Sequence, residues 1–246
     1  EPEHLQKSPV PLLGDQLRRA VGQRAEEAFR LRDEALRRFR EAEQLYEQEV
    51  AGHDGETPPE ISYAVSASRM FGRQRRLDGY HYNPDAERVL RQLKDTGNEV
   101  VPLRSVVDHV FGVPRFKHVY AEHGIPYLDS EDLFKVNPEI TKFIPRATKK
   151  DPDSYYVERD WLLMACSGQI YGLNGSVVLA NEWHENKIIS NHVIRIVPSR
   201  EGVRPGYLRM ALGHPTLGWP LVIRCAFGTS VPEIAPEDVQ NLPVVR

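Results

Sequence analysis

The first part of the chain has the most regular pattern of apolar and polar positions. Residues 12–50 contain no proline, and Ala, Leu, Arg, Glu and Gln dominate from residue 23 onward. A seven-residue repeat runs through the segment and predicts one long helix of coiled-coil type. One seam position of the repeat holds small residues and the other alternates leucine with arginine: Val21, Ala28, Ala35 and Ala42, then Leu17, Arg24, Leu31, Arg38 and Leu45.

Such a helix is too long and too one-sided to be stable alone in water. The small residues permit another helix to approach closely, and Phe29, Phe39 and Tyr46 widen the apolar stripe. The rest of the chain offers no helical pattern of similar length, so we predict that the stripe faces a helix of another polypeptide. A helix lying against its own domain is the alternative.

The pattern changes after residue 50. Residues 51–60 contain two glycines and two prolines, which predicts a linker. Beyond it, short strand-like runs are mixed with helix signals. We therefore predict an α+β (mixed) protein of two parts: a long helix with its linker in residues 1–57, and a mixed α/β domain in residues 58–246.

Helix and strand signals in the second part are short. Asn83-Pro84 supplies an N-cap and a first-turn proline, Val89, Leu90 and Leu93 face inward, and Gly97 ends this helix. A second helix is expected over Pro205–Leu212, and Ser105-Val-Val-Asp108 is expected to start another short helix. Strands are expected at ISYAVSAS (61–68), VVPL (100–103), WLLMAC (161–166), SVVLA (176–180), KIISNHVIRIV (187–197) and LVIRCAF (221–227), with a hairpin turn at Asn174-Gly175.

Composition limits the class of protein. The 246 residues carry a net charge of −3, with 40% hydrophobic and 27% charged residues, which is ordinary for a globular protein. No apolar run approaches the roughly 20 residues of a membrane span, and the first ten residues do not form a signal peptide. Two cysteines, Cys166 and Cys225, are too few for a disulfide framework. We expect a cytoplasmic protein with no membrane partner.

The charge argues against a non-specific nucleic-acid binder, which is usually strongly basic, but leaves a sequence-specific one possible. Local basic patches matter more than the sum, although a solvated surface is the alternative for each patch. The two patches are Arg69, Arg73, Arg75 and Arg76, and Lys142, Arg146, Lys149 and Lys150.

No group of residues predicts catalysis. Cys166 ends an apolar run with no histidine in a local arrangement to activate it, which is more typical of packing than of a nucleophile. Asp153 with Glu185 and Lys187 matches a loose metal-nuclease pattern, but Glu185 and Lys187 lie in an expected turn where charge is common. His184 and His192 lack zinc-ligand spacing, and no glycine-rich phosphate loop is present. We expect no catalytic residues, no metal and no cofactor.

Five segments in order carry a resemblance to a known family. They are RLDGYHYNPDAERVLRQLKDTG (76–97), PRFKHVYAEHGIPYLDSEDLF (114–134), VERDWLLMACSGQIYG (157–172), KIISNHVIRIVPS (187–199) and AFGTSVPEIAPEDVQNLPV (226–244). The chain resembles one half of the specificity (S) subunit of type I restriction-modification systems, with a target recognition domain over residues 61–245. VGQRAEEAFRLRDEALRRFREAEQL (21–45) looks like the spacer helix of that family.

The resemblance implies sequence-specific recognition of double-stranded DNA by a non-catalytic subunit. A partner adenine methyltransferase (M) subunit and a restriction (R) subunit would act at the selected site. The spacer helix would pair with a second spacer, from another half-subunit or from a homodimer mate. A fragment, a half-size dimerising subunit and the recognition region of a fused restriction or modification enzyme all remain open. A coiled-coil protein without DNA binding is a further alternative.

Candidate DNA contacts follow from residue chemistry once this role is assumed. Arginine and lysine side chains would bind phosphates, whereas polar side chains at loop ends would read base edges. For phosphates we predict Arg73, Arg75, Arg115, Lys117, Lys149 and Lys150, and for bases Ser167, Gln169, Tyr171, Asn174, Asn191 and Thr229.

Overall fold

The structure of the chain is a computed structural model. It describes residues 8, 9, 11, 13–50, 62–71, 76–136, 138–146 and 153–246. Spatial proximity along the backbone divides the chain into two units, Glu1–Leu45 and Tyr46–Arg246. The predicted linker lies outside the described residues, and the predicted boundary after residue 57 stays a prediction.

The long helix is present as α1, Asp15–Val50. Asp15 lies in its first turn, where a carboxylate interacts favourably with the helix dipole. Charged side chains one turn apart pair along its surface, as Arg30 does with Glu27 at 2.6 Å and with Glu34 at 3.5 Å. These exposed pairs give the helix modest local support, because solvent screens them.

Several residues of the apolar stripe of α1 are exposed. Leu17, Leu31 and Leu45 retain 55%, 52% and 61% of their accessible surface. The buried residues of α1 are Tyr46 and Val50, in its last turn, which belongs to the second unit. Three leucines of the predicted seam are therefore exposed on the Asp15–Leu45 part of α1.

The second unit combines short helices with nine short strands among the described residues. The remaining helices are α2 (Ala67–Met70), α3 (Pro84–Asp95), α4 (Pro205–Gly213), α5 (Trp219–Ile223) and α6 (Pro236–Val239). The strands are β1 (Val100–Pro102), β2 (Val107–Phe111), β3 (Ile125–Leu128), β4 (Phe143–Ile144), β5 (Leu162–Ala165), β6 (Val177–Leu179), β7 (Ile188–Ile189), β8 (Val193–Pro198) and β9 (Pro243–Val245).

Three sheets organise this unit. The central one has the order β2-β8-β5-β6, with antiparallel neighbours throughout. A second has the order β4-β3-β7, in which β3 and β7 run parallel, and β1 pairs with β9 in the third. All four residues of β5 are buried, as its unbroken apolar run predicts. The predicted α+β (mixed) class, with a long helix before a mixed domain, is confirmed.

The ends of helix α3 are determined by residues adjacent to it in the sequence. The Asn83 side chain accepts a hydrogen bond from the Asp85 N–H at 2.9 Å, and Pro84 occupies the first turn. Gly97, just beyond the helix, has a φ of 74°, a conformation that favours glycine. The predicted capping of this helix is confirmed.

The run KIISNHVIRIV forms two strands rather than the predicted single one. β7 pairs with β3, whereas β8 pairs with β2 and β5. Between them the Ser190 N–H donates to Leu128 O at 3.0 Å, and the His192 N–H donates to Ser190 Oγ at 3.2 Å. The side-chain hydrogen bond turns the chain from one sheet into another.

Three other predictions were wrong. Ser105 closes a 3-10 turn by donating to Pro102 O at 2.7 Å, and strand β2 follows instead of a helix. Most of LVIRCAF lies in and just after α5, whose first turn contains Pro220. Residues 62–66 form no strand, and α2 begins at Ala67. None of the described helices is long and apolar enough to cross a membrane.

Candidate nucleic-acid interface

Two loops of the second unit are joined along their length. Loop A, residues 166–176, connects β5 to β6, and loop C, residues 227–233, precedes α6. Such pairing leaves little freedom to either backbone. Hydrogen bonds between the loops include Gly168 N–H to Pro232 O at 3.1 Å and Gln169 Nε2 to Ser230 O at 3.0 Å. The Ile234 N–H, just after loop C, donates to Cys166 O at 2.9 Å.

Loop C has its own closed shape. The backbones of Phe227 and Glu233 exchange two hydrogen bonds, at 2.9 and 2.8 Å. Gly228, at the start of the tip, has a φ of 106°, which favours glycine. The tip therefore presents Thr229 and Val231 outward, both exposed, on a narrow and well-supported turn.

Loop A is wider than the predicted Asn-Gly turn. The hairpin of β5 and β6 is present, but residues 166–176 all lie between its strands. Gly175 has a φ of 84°, and its N–H donates to Ala165 O at 2.8 Å. The positive φ favours glycine at this position, and a Cβ there would lie only 3.0 Å from Val222 Cγ1, a tight contact.

Asn174 is buried beneath loop A and is not available to a base. Its exposed fraction is 0%, and its Nδ2 donates to Gly168 O at 3.0 Å and to Pro232 O at 2.9 Å. The prediction of a base contact for Asn174 is therefore wrong. Its amide instead supports the pairing of loop A with loop C.

Loop B, residues 190–192, lies between β7 and β8 and is fastened to loop A. The Cys166 N–H donates to His192 O at 3.0 Å, and His192 Nδ1 lies 2.9 Å from Ser167 Oγ. Ser167 Oγ also lies 3.4 Å from Glu233 Oε1 in loop C. Ser167 thus stands where the three loops meet.

A basic segment lies beside these loops. Arg115 and Lys117 are exposed, whereas Phe116 and His118 between and beyond them are half-buried. Burial lowers the pKa of His118, and the Asp129 carboxylate opposes the shift. His118 Nε2 lies 3.4 Å from the hydroxyl of Tyr127 on β3, and β3 pairs with β7, the strand that precedes loop B.

The structure brings most of the described base-contact candidates to one region. Tyr171 is 85% exposed, Gln169 and Thr229 are exposed, and Ser167 and Asn191 are half-buried. The same region also contains His192, Glu233 and Phe227, which were not predicted from the sequence as contacts. Candidates Arg73, Arg75, Lys149 and Lys150 lie outside the described residues.

Three described members of the two basic patches, Arg69, Arg76 and Lys142, have partners within the chain. Arg76, with a side chain 10% exposed, pairs with Asp78 at 2.6 Å and donates to Ala226 O at 2.5 Å. Arg69 pairs with Glu87 at 2.8 Å, and Lys142 pairs with Asp129. Arg76 is therefore a structural residue that holds the start of loop C.

The alternatives that involve catalysis gain no support from geometry. Burial raises the pKa of Cys166 to about 11, which keeps its sulfur as a thiol at neutral pH. Glu185 Oε1 accepts the Arg159 N–H at 3.1 Å, and Lys187 bonds to Trp183 O. The described residues contain no cluster of three metal-ligating side chains.

Replacing Asn174 with alanine is expected to lower the free energy of unfolding of the second unit by about 2 kcal/mol, because two buried carbonyl groups lose their donor. Urea unfolding followed by tryptophan fluorescence measures the change. The exposed Thr229→Ala in loop C serves as a control and should change stability by less than about 0.5 kcal/mol. Equal effects of the two substitutions would contradict the structural role of Asn174.

The chain was compared with known proteins, and the similarity found is to solved structures. No family model and no curated relative matches the chain. The chain is similar to the HsdS subunit from Thermoanaerobacter tengcongensis, with 17% identity and a TM-score of 0.43 over 96% of this chain and 48% of that one. The chain is also similar to a structure of the type I R-M system concerned with complex assembly and conformational transition. The identity is 19% and the TM-score is 0.45, over 96% of this chain and 48% of that one.

A third solved structure is the type I restriction-modification S subunit from M. genitalium. It has 15% identity and a TM-score of 0.36, covering 59% of this chain and 33% of that one. The chain spans half or less of the length of each of these proteins.

Proposed function

We propose that the chain recognises a specific sequence in double-stranded DNA, as one half of the specificity subunit of a type I restriction-modification system. The observation that carries the proposal is the joining of loops A, B and C into one supported surface of polar and aromatic side chains. Three of the five segments that carry the resemblance, 157–172, 187–199 and 226–244, include parts of these loops. In this proposal the predicted domain of residues 58–246, which lies within the second unit, is the target recognition domain.

The chemistry of the surface suits the reading of bases. Gln169 offers an amide that can bond to adenine, whereas Ser167 and Thr229 offer hydroxyls that can donate or accept. Glu233 adds a carboxylate, a group that accepts from the amino group of cytosine. Tyr171 presents an exposed ring for apolar contact with a thymine methyl group or with a sugar. Supported loops bind with a smaller entropy loss than mobile ones.

The basic segment beside the loops suits contact with phosphates. Arg115 and Lys117 project on the exposed side of an extended stretch, while the ring of Phe116 packs 5.0 Å from that of Tyr155 on the other side. The Tyr155 hydroxyl donates to Pro114 O at 2.8 Å. Two cations on an anchored backbone can set the register of the domain on a duplex without reading sequence.

The exposed stripe of α1 suits a partner helix. We propose that it pairs with a second spacer helix, from another half-subunit or a second copy of this chain. The recognition unit would itself catalyse nothing and would direct a methyltransferase subunit, and a restriction subunit with it, to the selected site. A fused enzyme would use the same surface, with the methyltransferase on a continuous polypeptide instead of a separate subunit.

Selection from a pool of randomised duplexes tests this function. The full chain, alone and with a type I methyltransferase subunit, is expected to enrich a consensus of several base pairs. The double substitution Gln169→Ala and Tyr171→Ala should change or weaken that consensus. Enrichment by the methyltransferase subunit alone, with no change when this chain is added, would refute the proposal.

Lys117→Ala is expected to weaken binding to selected and scrambled duplexes by the same factor, because a phosphate contact carries no sequence information. The slope of log affinity against log salt should become less steep by about one unit. Fluorescence anisotropy at four or more salt concentrations measures both effects. Lys94→Ala, an exposed lysine of α3, is the matched control and should leave the slope unchanged. A sequence-dependent loss for Lys117→Ala would place this residue on bases instead.

A further inference from the structure

Arg195 is a buried cation directly behind loop B. It lies on β8 with 0% of its surface exposed and is among the largest fully buried side chains of the chain. Its guanidinium bonds only to backbone carbonyls among the described residues. Nη1 donates to Ser190 O at 3.0 Å and to Val193 O at 2.5 Å, and Nη2 donates to Ile189 O at 2.7 Å.

No carboxylate of the described residues lies within the 4 Å of an ion pair with Arg195. The groups whose charge would affect it include the Cys166 thiol and the Tyr127 phenol; burial raises the pKa of both, which keeps them neutral near pH 7. Burial lowers the pKa of Arg195 to about 10, so the guanidinium still keeps its proton at neutral pH. Its Nε is also buried and has no acceptor in the described part of the chain.

An uncompensated buried cation is unfavourable for stability, and an apolar side chain of similar volume is often tolerated as well or better in a core. The stability of β8 therefore does not explain an arginine at position 195. What the guanidinium does hold is the backbone at both ends of loop B: Ile189 and Ser190 before the turn, and Val193 after it. One rigid planar group spans the turn and sets its width.

The position of loop B determines how it meets loop A. His192, in loop B, accepts the Cys166 N–H through its carbonyl and contacts Ser167 Oγ through its ring. Asn191, the neighbouring base-contact candidate, is carried by the same turn. A shift of loop B would therefore move Asn191 and Ser167 together.

We infer that Arg195 is a positioning residue of the DNA-reading surface, which fixes loop B and, through His192, its register against loop A. The inference rests on the proposed function. Arg195 touches no DNA itself and acts through the carbonyls that it binds. It is a determinant of sequence selectivity that is invisible from the surface of the protein.

Two variants of the full chain test the inference. Arg195→Met removes the guanidinium and fills the space with an apolar chain, whereas Arg195→Lys keeps the charge but cannot span three carbonyls with a planar fork. Arg200→Met, an exposed arginine just beyond β8, is the matched control. Each is compared by amide hydrogen exchange and by anisotropy with the duplex selected by the unmodified chain and a scrambled duplex.

The expected result is a local one. In Arg195→Met the Cys166 amide should exchange at least about tenfold faster, while the Ala180 amide, bonded to Trp161 O at the other end of the β5–β6 hairpin, stays unchanged. The preference for the selected over the scrambled duplex should fall at least about tenfold, with affinity for the scrambled duplex changed by less than about twofold. Arg195→Lys should lie between, and Arg200→Met should match the unmodified chain.

Unchanged exchange at Cys166 and unchanged preference in a folded Arg195→Met would overturn the inference. If that variant does not fold, Arg195→Lys decides in the same way, since unchanged exchange and preference there exclude a positioning role. Failure of the proposed function has a different signature. The unmodified chain would then show no preference between the two duplexes, whatever the exchange rates of the variants.

Discussion

Replacing Tyr46 with alanine is expected to lower the free energy of unfolding of the Tyr46–Arg246 unit by about 3 kcal/mol, as for other large aromatic side chains removed from a core. Tyr46 is 7% exposed, and its ring centroid lies 5.6 Å from those of both Tyr207 and His214. Burial also raises the pKa of its phenol. The last turn of α1 is therefore part of the core of the second unit.

Tryptophan fluorescence during urea unfolding measures this effect cleanly, because Trp161, Trp183 and Trp219 all lie in the second unit. Leu45→Ala is the matched control. Leu45 precedes Tyr46 on α1 but is 61% exposed, so its loss should change stability by less than about 0.5 kcal/mol. A small effect of Tyr46→Ala, equal to that of Leu45→Ala, would show that the helix end does not belong to this core.

The double substitution Leu17→Asp and Leu31→Asp is expected to weaken association of α1 with its partner helix at least about a hundredfold, since each carboxylate buried in an apolar seam costs about 1.4 kcal/mol or more and that value is a factor of ten in affinity. Both leucines are about half exposed in the single chain, at 55% and 52%. The folded second unit should be unaffected, because neither side chain is buried in it.

Sedimentation velocity and co-purification with a type I methyltransferase subunit measure the association. Gln23→Asp with Gln44→Asp adds the same two charges to α1 away from the seam and should leave association intact. A partner helix is contradicted if the unmodified chain neither self-associates nor binds the methyltransferase subunit. It is also contradicted if the seam variant binds as well as the control.

Local signals predicted the elements whose causes are local. The repeat of α1 extends over many turns, and the Asn83-Pro84 cap of α3 needs only adjacent residues, so both could be predicted from the sequence. The division of KIISNHVIRIV into β7 and β8 depends on Leu128 O and on the carbonyls bound by Arg195, contacts that periodicity does not reveal. The helix at α5 replaces an expected strand for the same reason: its apolar residues are buried by tertiary packing.

The candidate site was predicted in part. Residue chemistry and the resemblance selected Ser167, Gln169, Tyr171 and Thr229, which the fold places on joined loops, but whether they contact DNA remains a prediction. The prediction of a base contact for Asn174 was wrong because an asparagine before glycine is typical of an exposed turn, whereas here its amide is buried. His192 was considered only as a metal ligand. Arg195 lies within a predicted strand, and the sequence pattern gave no reason to assign it a role. The spacing of residues along the sequence does not identify a buried side chain that supports a loop.

The most direct test of the central claim compares the affinity of the full chain, with its helix partner, for its selected duplex and for a scrambled duplex at one defined salt concentration. The account predicts a preference of at least about a hundredfold for the selected duplex, which corresponds to two or more base pairs read at about 1–3 kcal/mol each. Equal affinity for the two duplexes would contradict it.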